Sequence, residues 1–172
     1  MKFNRRSFVR KMGAGMLMLS GERLPVPVRA HPGSTEKPLQ IGLIGAGARG
    51  KWLAKVASTL PELDITACCD LLPGQHEACS REIGKKITFY DDYRKLIAAR
   101  DVQAVIIATP LFLHFDMVKE ALAAGKHVYC EKTMTHTRQQ AAELKKLAAV
   151  SKDTVFQIGY QHRFNPIYSE IR

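Results

Sequence analysis

The chain has 172 residues, of which 46% are hydrophobic and 24% charged; this composition indicates a globular protein with one domain-sized core and excludes an intrinsically disordered chain. The net charge of +10 is concentrated at the N-terminus, because residues 1–38 contain eight Lys/Arg against two Glu and so carry +6. Elsewhere acidic and basic residues alternate and no basic stripe is interleaved with aromatics, which argues against nucleic acid as a partner.

Residues 1–38 have the pattern of an export leader followed by a linker. The segment NRRSFVRK carries the pair Arg5–Arg6, and a short, mildly apolar run, MGAGMLMLSG, follows it. This arrangement resembles a twin-arginine export signal, with Ala30 as a suitable cleavage position, and the run is too short for a stable membrane span. We therefore expect a periplasmic or otherwise exported protein. The alternative is a cytoplasmic protein with a basic N-terminus.

From Leu39 onward, apolar stretches alternate with segments of helical periodicity, which predicts βαβ units with parallel strands. The predicted strands are Leu39–Ile44, Asp64–Cys69, Ile87–Phe89, Ala104–Ala108, His127–Cys130 and Thr154–Ile158. The predicted helices cover residues 47–60, 74–83, 92–99, 113–124 and 135–151. The predicted fold class is α/β, a doubly wound parallel Rossmann sheet with flanking helices, in a domain over residues 39–160.

The first predicted strand leads into a glycine-rich turn. In LQIGLIGAGARG, Gly45, Gly47 and Gly50 have the spacing G-x-G-x-x-G. In such a motif the first glycine permits the tight turn, the second lets the backbone approach a pyrophosphate, and the third allows close packing of helix on strand. The helix start would also offer its N–H groups to an anion. We interpret the three glycines as cofactor-binding residues.

Asp70 ends the second predicted strand, twenty residues after Gly50. A carboxylate at this point accepts hydrogen bonds from the ribose hydroxyls of the adenosine and repels a 2′-phosphate. The pattern therefore favours NAD(H) over NADP(H) as the cofactor. Arg49 and Arg81 leave the opposite choice open, since a phosphate could recruit either of them.

Polar residues follow three further predicted strands at the edge where ligands of open α/β sheets bind. They are Thr109, Pro110 and His114 after the fourth strand, Glu131 and Lys132 after the fifth, and Arg163 after the sixth. His114 either lines a cofactor pocket or packs at a helix N-terminus. Arg163 either faces the cofactor and active-site rim or makes a surface ion pair.

The four cysteines contain no C-x-x-C pair, so neither a zinc site nor a disulfide framework is indicated. Cys68 and Cys69 are adjacent, which places their side chains on opposite faces of a strand. We interpret the cysteines as buried free thiols. His76 and His127 are interpreted as solvated side chains.

Taken together, IGLIGAGARG, the CD pair at 69–70, IIATPLFLH, AGKHVYCEKTM and GYQHRFNP resemble the successive motifs of the Gfo/Idh/MocA oxidoreductase family. The resemblance runs from Leu39 to Arg172. It implies an N-terminal Rossmann domain joined to a C-terminal α/β domain that carries the substrate and often the oligomer interface. Most such enzymes move hydride between NAD(P) and a sugar or cyclitol, and some use NAD for glycoside cleavage without net redox change.

The resemblance also implies roles for individual residues. Glu131 would face the nicotinamide-side ribose, and Lys132 would be the catalytic residue that holds and helps deprotonate the substrate hydroxyl. The residues expected to line the nicotinamide half of the site are Thr109, Pro110, His114 and Glu131, with Arg49, Lys132 and Arg163 as further cofactor contacts.

Two features depart from the family pattern. Thr133 follows Lys132 where the family usually has proline, so the turn around the lysine is expected to differ. Residues 161–172 look like the start of the substrate domain, and we expect this stretch to be a truncated form of it. We therefore expect little turnover from this chain by itself, and a homo-oligomer only where the second domain is present. One alternative is an NAD-dependent glycosidase of the same fold, which would release a free sugar without net redox change. A non-catalytic NAD(H)-binding module is the alternative from another functional class.

Overall fold

The structure, a computed structural model, describes residues 37–151 and 153–164. The predicted leader falls on residues outside this range, as does most of the segment 161–172, so both predictions concern parts of the chain that are not described. Within the described residues, no helix is both long enough and apolar enough to span a bilayer.

The six strands and five helices predicted from the sequence are all present. The strands are β1 (Leu39–Ile44), β2 (Leu63–Cys69), β3 (Thr88–Tyr90), β4 (Ala104–Ile107), β5 (His127–Cys130) and β6 (Phe156–Ile158). The helices are α1 (Ala48–Ser58), α2 (Pro73–Ile83), α3 (Tyr93–Ala98), α4 (Leu111–Ala123) and α5 (Arg138–Val150), and a short 3-10 helix covers Gln161–Phe164.

Two helix starts differ from the prediction by more than one residue. Helix α4 begins directly after Pro110, two residues earlier than expected. Helix α5 begins three residues later than expected, because Thr137 accepts a hydrogen bond from the Gln140 N–H while the Gln140 side chain reaches back to the Thr137 N–H. This reciprocal capping box fixes where the helix starts.

The strands form one parallel sheet in the order β3-β2-β1-β4-β5-β6. This order follows from right-handed crossovers that run in one direction from β1 to β3 and in the other from β4 to β6. The predicted doubly wound Rossmann sheet is therefore confirmed. The order also places the carboxyl ends of β1 and β4 side by side at the centre of the sheet.

Apolar side chains fill both faces of the sheet. One face packs under α1 and α2 through residues such as Leu53, Ala54 and Cys79. The opposite face packs under α3, α4 and α5 through residues such as Leu96 and Val118. Because every central strand is covered on both sides, β4 is buried along its whole length, as its continuous apolar run predicted.

Gly50 sets the distance between α1 and the end of β1. A Cβ added at Gly50 would lie 1.9 Å from the carbonyl oxygen of Gly45, which is backbone and has no room to move. The third glycine of the motif is therefore required by packing within the protein itself, whatever the loop binds.

Replacing Gly50 with Ala is expected to lower the free energy of unfolding by about 3 kcal/mol, since the added methyl must push α1 away from the sheet. Gly74→Ala in α2 is the matched control, because nothing lies within 4 Å of its added Cβ. That variant should be neutral or stabilising by up to about 1 kcal/mol. Urea unfolding followed by circular dichroism measures both; equal stability of the two variants would contradict the packing role of Gly50.

Candidate active site

The loops that follow the strands are held side by side by backbone hydrogen bonds that continue the parallel ladders. These bonds run from Gly45 N to Cys69 O (2.9 Å), from Ala108 N to Ile44 O (2.8 Å), from Glu131 N to Ile107 O (2.9 Å) and from Gly159 N to Cys130 O (2.8 Å). The loops after β1, β2, β4, β5 and β6 therefore form one continuous rim. All the residues predicted to serve the site, from Gly45 to Arg163, follow these strands.

The glycine loop leaves an open approach to the start of α1. Gly45 has φ of +90°, a conformation that favours glycine, and an added Cβ there would lie 2.8 Å from the carbonyl oxygen of Ala108. Gly47 is the N-cap of α1. Among the described residues, no side chain caps that end of the helix and no atom lies within 4 Å of a Cβ added at Gly47. The first turn of α1 thus presents its N–H groups and the positive end of its dipole to an open cradle suited to an anion.

Asp70 is fixed at the end of β2 beside that cradle. Its Oδ2 accepts a hydrogen bond from the N–H of Ala46 at 2.7 Å, and its Oδ1 accepts one from the N–H of Leu72 at 2.9 Å. Each carboxylate oxygen retains a second lone pair for a hydroxyl donor. The contact with Ala46 ties the carboxylate to the glycine loop, so the two predicted parts of the cofactor motif lie in direct contact.

Glu131 is buried at the end of β5 and paired with Arg49 of α1. The Nε and Nη2 atoms of Arg49 lie 2.8 and 2.7 Å from Glu131 Oε1, while Glu131 Oε2 accepts a hydrogen bond from the N–H of Lys132 at 3.1 Å. The Arg49 guanidinium also stacks on Trp52, 4.5 Å from the ring centroid. Sequence reasoning placed both charged residues at this edge but did not pair them and gave no role to Trp52.

Lys132 lies next to Glu131 but in a different environment. Its side chain is exposed, and in the described part of the chain no hydrogen bond or ion pair engages its ammonium group. The peptide bond between Lys132 and Thr133 is cis. The turn thus contains a cis peptide bond, with threonine at the position where the Gfo/Idh/MocA family usually has proline.

His114 lies behind the rim. The ring is 1% exposed, its Nδ1 lies 2.8 Å from the carbonyl oxygen of Thr133, and its Nε2 lies 2.9 Å from the carbonyl oxygen of Thr109. The ring thus joins the loop after β4 to the loop after β5. Of the two interpretations left open by the sequence, these contacts agree with packing at the start of α4, because both ring nitrogens lie against backbone carbonyl oxygens; a cofactor contact of His114 stays a prediction.

The other predicted residues of the rim are more exposed. Thr109 is half-buried with its hydroxyl 3.4 Å from the sulfur of Met117, and Pro110 is exposed at the start of α4. Arg163 is exposed in the 3-10 helix after β6. No described contact assigns Arg163 to the rim or to an ion pair, so its cofactor role stays a prediction.

A match to a family model identifies the family of this chain. The model of the Gfo/Idh/MocA family, described as an oxidoreductase family with an NAD-binding Rossmann fold, matches residues 39–160. The chain belongs to this family. The family's fold is NAD-binding, and the sheet of this chain over these residues is that Rossmann fold.

Relatives in the Gfo/Idh/MocA family include several inositol dehydrogenases. An uncharacterized oxidoreductase of Bacillus subtilis, YrbE, is 36% identical over 79% of this chain and 39% of its own length. The inositol 2-dehydrogenase/D-chiro-inositol 3-dehydrogenase of Lactiplantibacillus plantarum is 27% identical over 77% of this chain and 38% of its own length. The chain thus spans about two fifths of the length of these curated relatives.

The fold is also found among solved structures of the family. The scyllo-inositol dehydrogenase of Lactobacillus casei, solved with NAD(H) and scyllo-inositol bound, superposes with a TM-score of 0.72 at 27% identity. The match covers 78% of this chain and 40% of that enzyme. GenD2 from gentamicin A biosynthesis, solved in complex with NAD, gives a TM-score of 0.67 at 22% identity, which supports the fold.

The cysteines are buried and free, as predicted. Cys68 packs on the α1 and α2 side of the sheet with Cys79, and Cys69 packs on the opposite side. Burial raises the pKa of the Cys69 thiol to about 11 and raises the pKa of Cys130 still further, so neither is a reactive thiolate near neutral pH. Within the described residues, no group of three or more His, Cys, Asp or Glu residues is arranged to hold a metal ion.

Two histidines interpreted as solvated are in fact engaged. His76 stacks on Phe89 with the ring centroids 4.8 Å apart, and its Nε2 lies 3.0 Å from the carbonyl oxygen of Asp70. His127 Nδ1 accepts a hydrogen bond from the N–H of Val155 at 3.0 Å. The stacking of His76 on Phe89 and the hydrogen bond between His127 and Val155 join different elements of the fold, which is why helix and strand periodicity did not reveal them.

Replacing His114 with Phe is expected to lower the free energy of unfolding by about 1–3 kcal/mol, because a ring of similar size is kept while the hydrogen bond from the imidazole N–H to a backbone carbonyl is lost. His136→Phe is the control: His136 is exposed, and its substitution should change stability by less than about 0.5 kcal/mol. Urea unfolding of the two variants measures the difference. Equal midpoints would show that His114 does not brace the two loops.

Proposed function

We propose that this chain binds NAD(H) along the rim and that the full-length protein transfers hydride between nicotinamide and a sugar or cyclitol. The observation that carries the proposal is the combination of an open, uncapped start of α1 with Asp70 and Glu131 fixed on either side of it. A cyclitol is favoured because several of the relatives are inositol dehydrogenases.

The residues present fit a dinucleotide. The cradle at Gly47 has room for a pyrophosphate, because no atom of residues 37–151 and 153–164 occupies the space that a side chain would fill there. Gly45 and Gly50 would hold the backbone close to the phosphates, and Asp70 would accept hydrogen bonds from the adenosine ribose. When bound, NAD supplies the hydride acceptor.

The choice between NAD and NADP is also part of the proposal. Asp70 places a fixed negative charge where a 2′-phosphate would lie, which disfavours NADP by repulsion. Arg49, one of the two cations that could have been recruited by that phosphate, is instead paired with Glu131. We therefore assign NAD as the preferred cofactor.

Lys132 is the proposed catalytic residue. Neighbouring residues of an extended segment point in opposite directions, so Glu131 faces inward to Arg49 while Lys132 is exposed at the rim. An ammonium without a partner can hold a substrate hydroxyl and take part in moving its proton. This role follows the family resemblance, with Thr133 in place of proline.

Cofactor binding is tested with Gly47→Ala. The added methyl meets no atom of the described residues, so the free energy of unfolding should fall by no more than the roughly 1 kcal/mol that alanine costs at an N-cap. The methyl occupies the cradle, however, and should weaken NAD binding by about tenfold or more. Isothermal titration calorimetry with NAD measures the change, with Gly74→Ala as the control that should bind like the wild type. If the wild-type chain does not bind NAD, the proposed function is wrong.

The catalytic role is tested with Lys132→Met in the full-length protein. With a panel of inositols and sugars, kcat should fall by about 10²- to 10⁴-fold because the proton-handling group is lost, whereas NAD affinity should change by less than about twofold. Lys145→Met, an exposed lysine of α5, is the control for loss of a positive charge. Unchanged turnover in the Lys132 variant would refute its role. A wild type that binds NAD but reduces it with none of the substrates would favour the binding-module hypothesis.

A further inference from the structure

Arg49 lies beside the proposed pyrophosphate cradle, where a phosphate could recruit its positive charge. It is the residue before the third glycine in GAGARG, within the first turn of α1. Its guanidinium, however, is directed at Glu131, eighty-two residues further along the chain, with both donor atoms on one carboxylate oxygen. The side chain is held in this direction by stacking on Trp52.

Because Glu131 is buried, its carboxylate depends on the contact with Arg49. The Glu131 side chain is 7% exposed, and a buried carboxylate is strongly unfavourable without a compensating charge. Among the described residues, Arg49 is the cation that pairs with it. The Lys132 ammonium, although adjacent in sequence, makes no such contact.

The pairing also leaves one part of the carboxylate available. Both Arg49 contacts fall on Oε1, and Oε2 accepts a hydrogen bond only from the Lys132 N–H within the described residues. A carboxylate oxygen has about two acceptor directions. The second direction of Oε2 is therefore free to accept a hydroxyl donor, and Arg49 fixes how the carboxylate is turned.

We propose that Arg49 is a positioning residue for Glu131, so that it acts on the nicotinamide-side ribose through this carboxylate and not on the pyrophosphate directly. The inference rests on the proposed function, because it assumes that Glu131 accepts from that ribose. The inference links the glycine loop to the nicotinamide half of the site. Helix α1, whose start would receive the pyrophosphate, also orients the Glu131 carboxylate, which lies two strands away.

The test separates the two halves of the ligand. ADP contains the pyrophosphate without the second ribose, ADP-ribose adds that ribose, and NAD adds the nicotinamide. In Arg49→Met, affinity for ADP should stay within about twofold of wild type. Affinity for ADP-ribose and NAD should fall by about ten- to a hundredfold, the value of one charge-assisted hydrogen bond. Calorimetric titration of each ligand into the 172-residue chain gives these values.

Arg94→Met is a closely matched control. Arg94 also stacks on an aromatic ring, Tyr93, at 4.5 Å and also pairs with a glutamate, Glu120, at 2.9 Å, but that glutamate is 36% exposed and lies away from the rim. Its substitution should leave the affinity for all three ligands unchanged. A loss in both arginine variants would show a non-specific effect of removing a stacked cation and would overturn the inference.

A double-mutant cycle decides whether Arg49 acts through Glu131. Glu131→Gln should weaken ADP-ribose and NAD binding, and Arg49→Met should have no further effect in that background. The double variant also guards against misfolding, since the amide removes the unpaired buried charge that the single Arg49 variant leaves. Urea unfolding should show the double variant to be more stable than Arg49→Met.

The outcomes separate the inference from the proposed function. If wild type binds none of the three ligands, the proposed function fails, while the unfolding data still test the coupling of Arg49 to Glu131. If wild type binds but Arg49→Met weakens ADP as much as NAD, Arg49 is a phosphate ligand and the inference is wrong. Additive losses in the cycle, or a loss for NAD without a loss for ADP-ribose, would equally overturn it.

Discussion

The close contact between the start of α1 and the end of β1 is the constraint on which the rest of the rim depends. Because Gly50 has no Cβ, α1 packs directly against the Gly45 carbonyl. This short distance between helix and strand sets where the first N–H groups of α1 point. The same seating places Arg49 within reach of Glu131 and holds Ala46 against Asp70. A glycine required by packing thus determines the geometry of three charged groups.

The rim contains two kinds of charged group, which differ in burial and in the number of their hydrogen-bond partners. Asp70 and Glu131 are held by backbone N–H groups or by a cation, and Glu131 is nearly excluded from solvent. Lys132 is exposed and carries no described partner. Fixed acceptors suit the binding of ribose hydroxyls, whose positions do not change, whereas a free ammonium suits a group that must meet substrate and move a proton.

Most of the fold was predictable from sequence because the signals are local. Continuous apolar runs such as AVIIA indicated buried parallel strands, and the spacing of Gly45, Gly47 and Gly50 indicated the turn and the helix that follows it. The pairing of Arg49 with Glu131 and the placement of His114 between two carbonyls were not predictable. Each joins residues from different βα units, and their contacts depend on how those units are packed against one another.

His114 shows how such a contact changes the interpretation of a motif residue. In sequence it lies one turn after the Thr109–Pro110 turn, which is compatible with lining the ligand site as well as with packing. Its burial and its two carbonyl neighbours place it between the loops that carry Thr109 and Lys132. These are the loops that the proposed function assigns to nicotinamide and to proton transfer. The distance between these two loops is therefore set by the His114 side chain, which need not touch cofactor or substrate. Arg49 has a comparable role on the other side of the rim, where it orients Glu131.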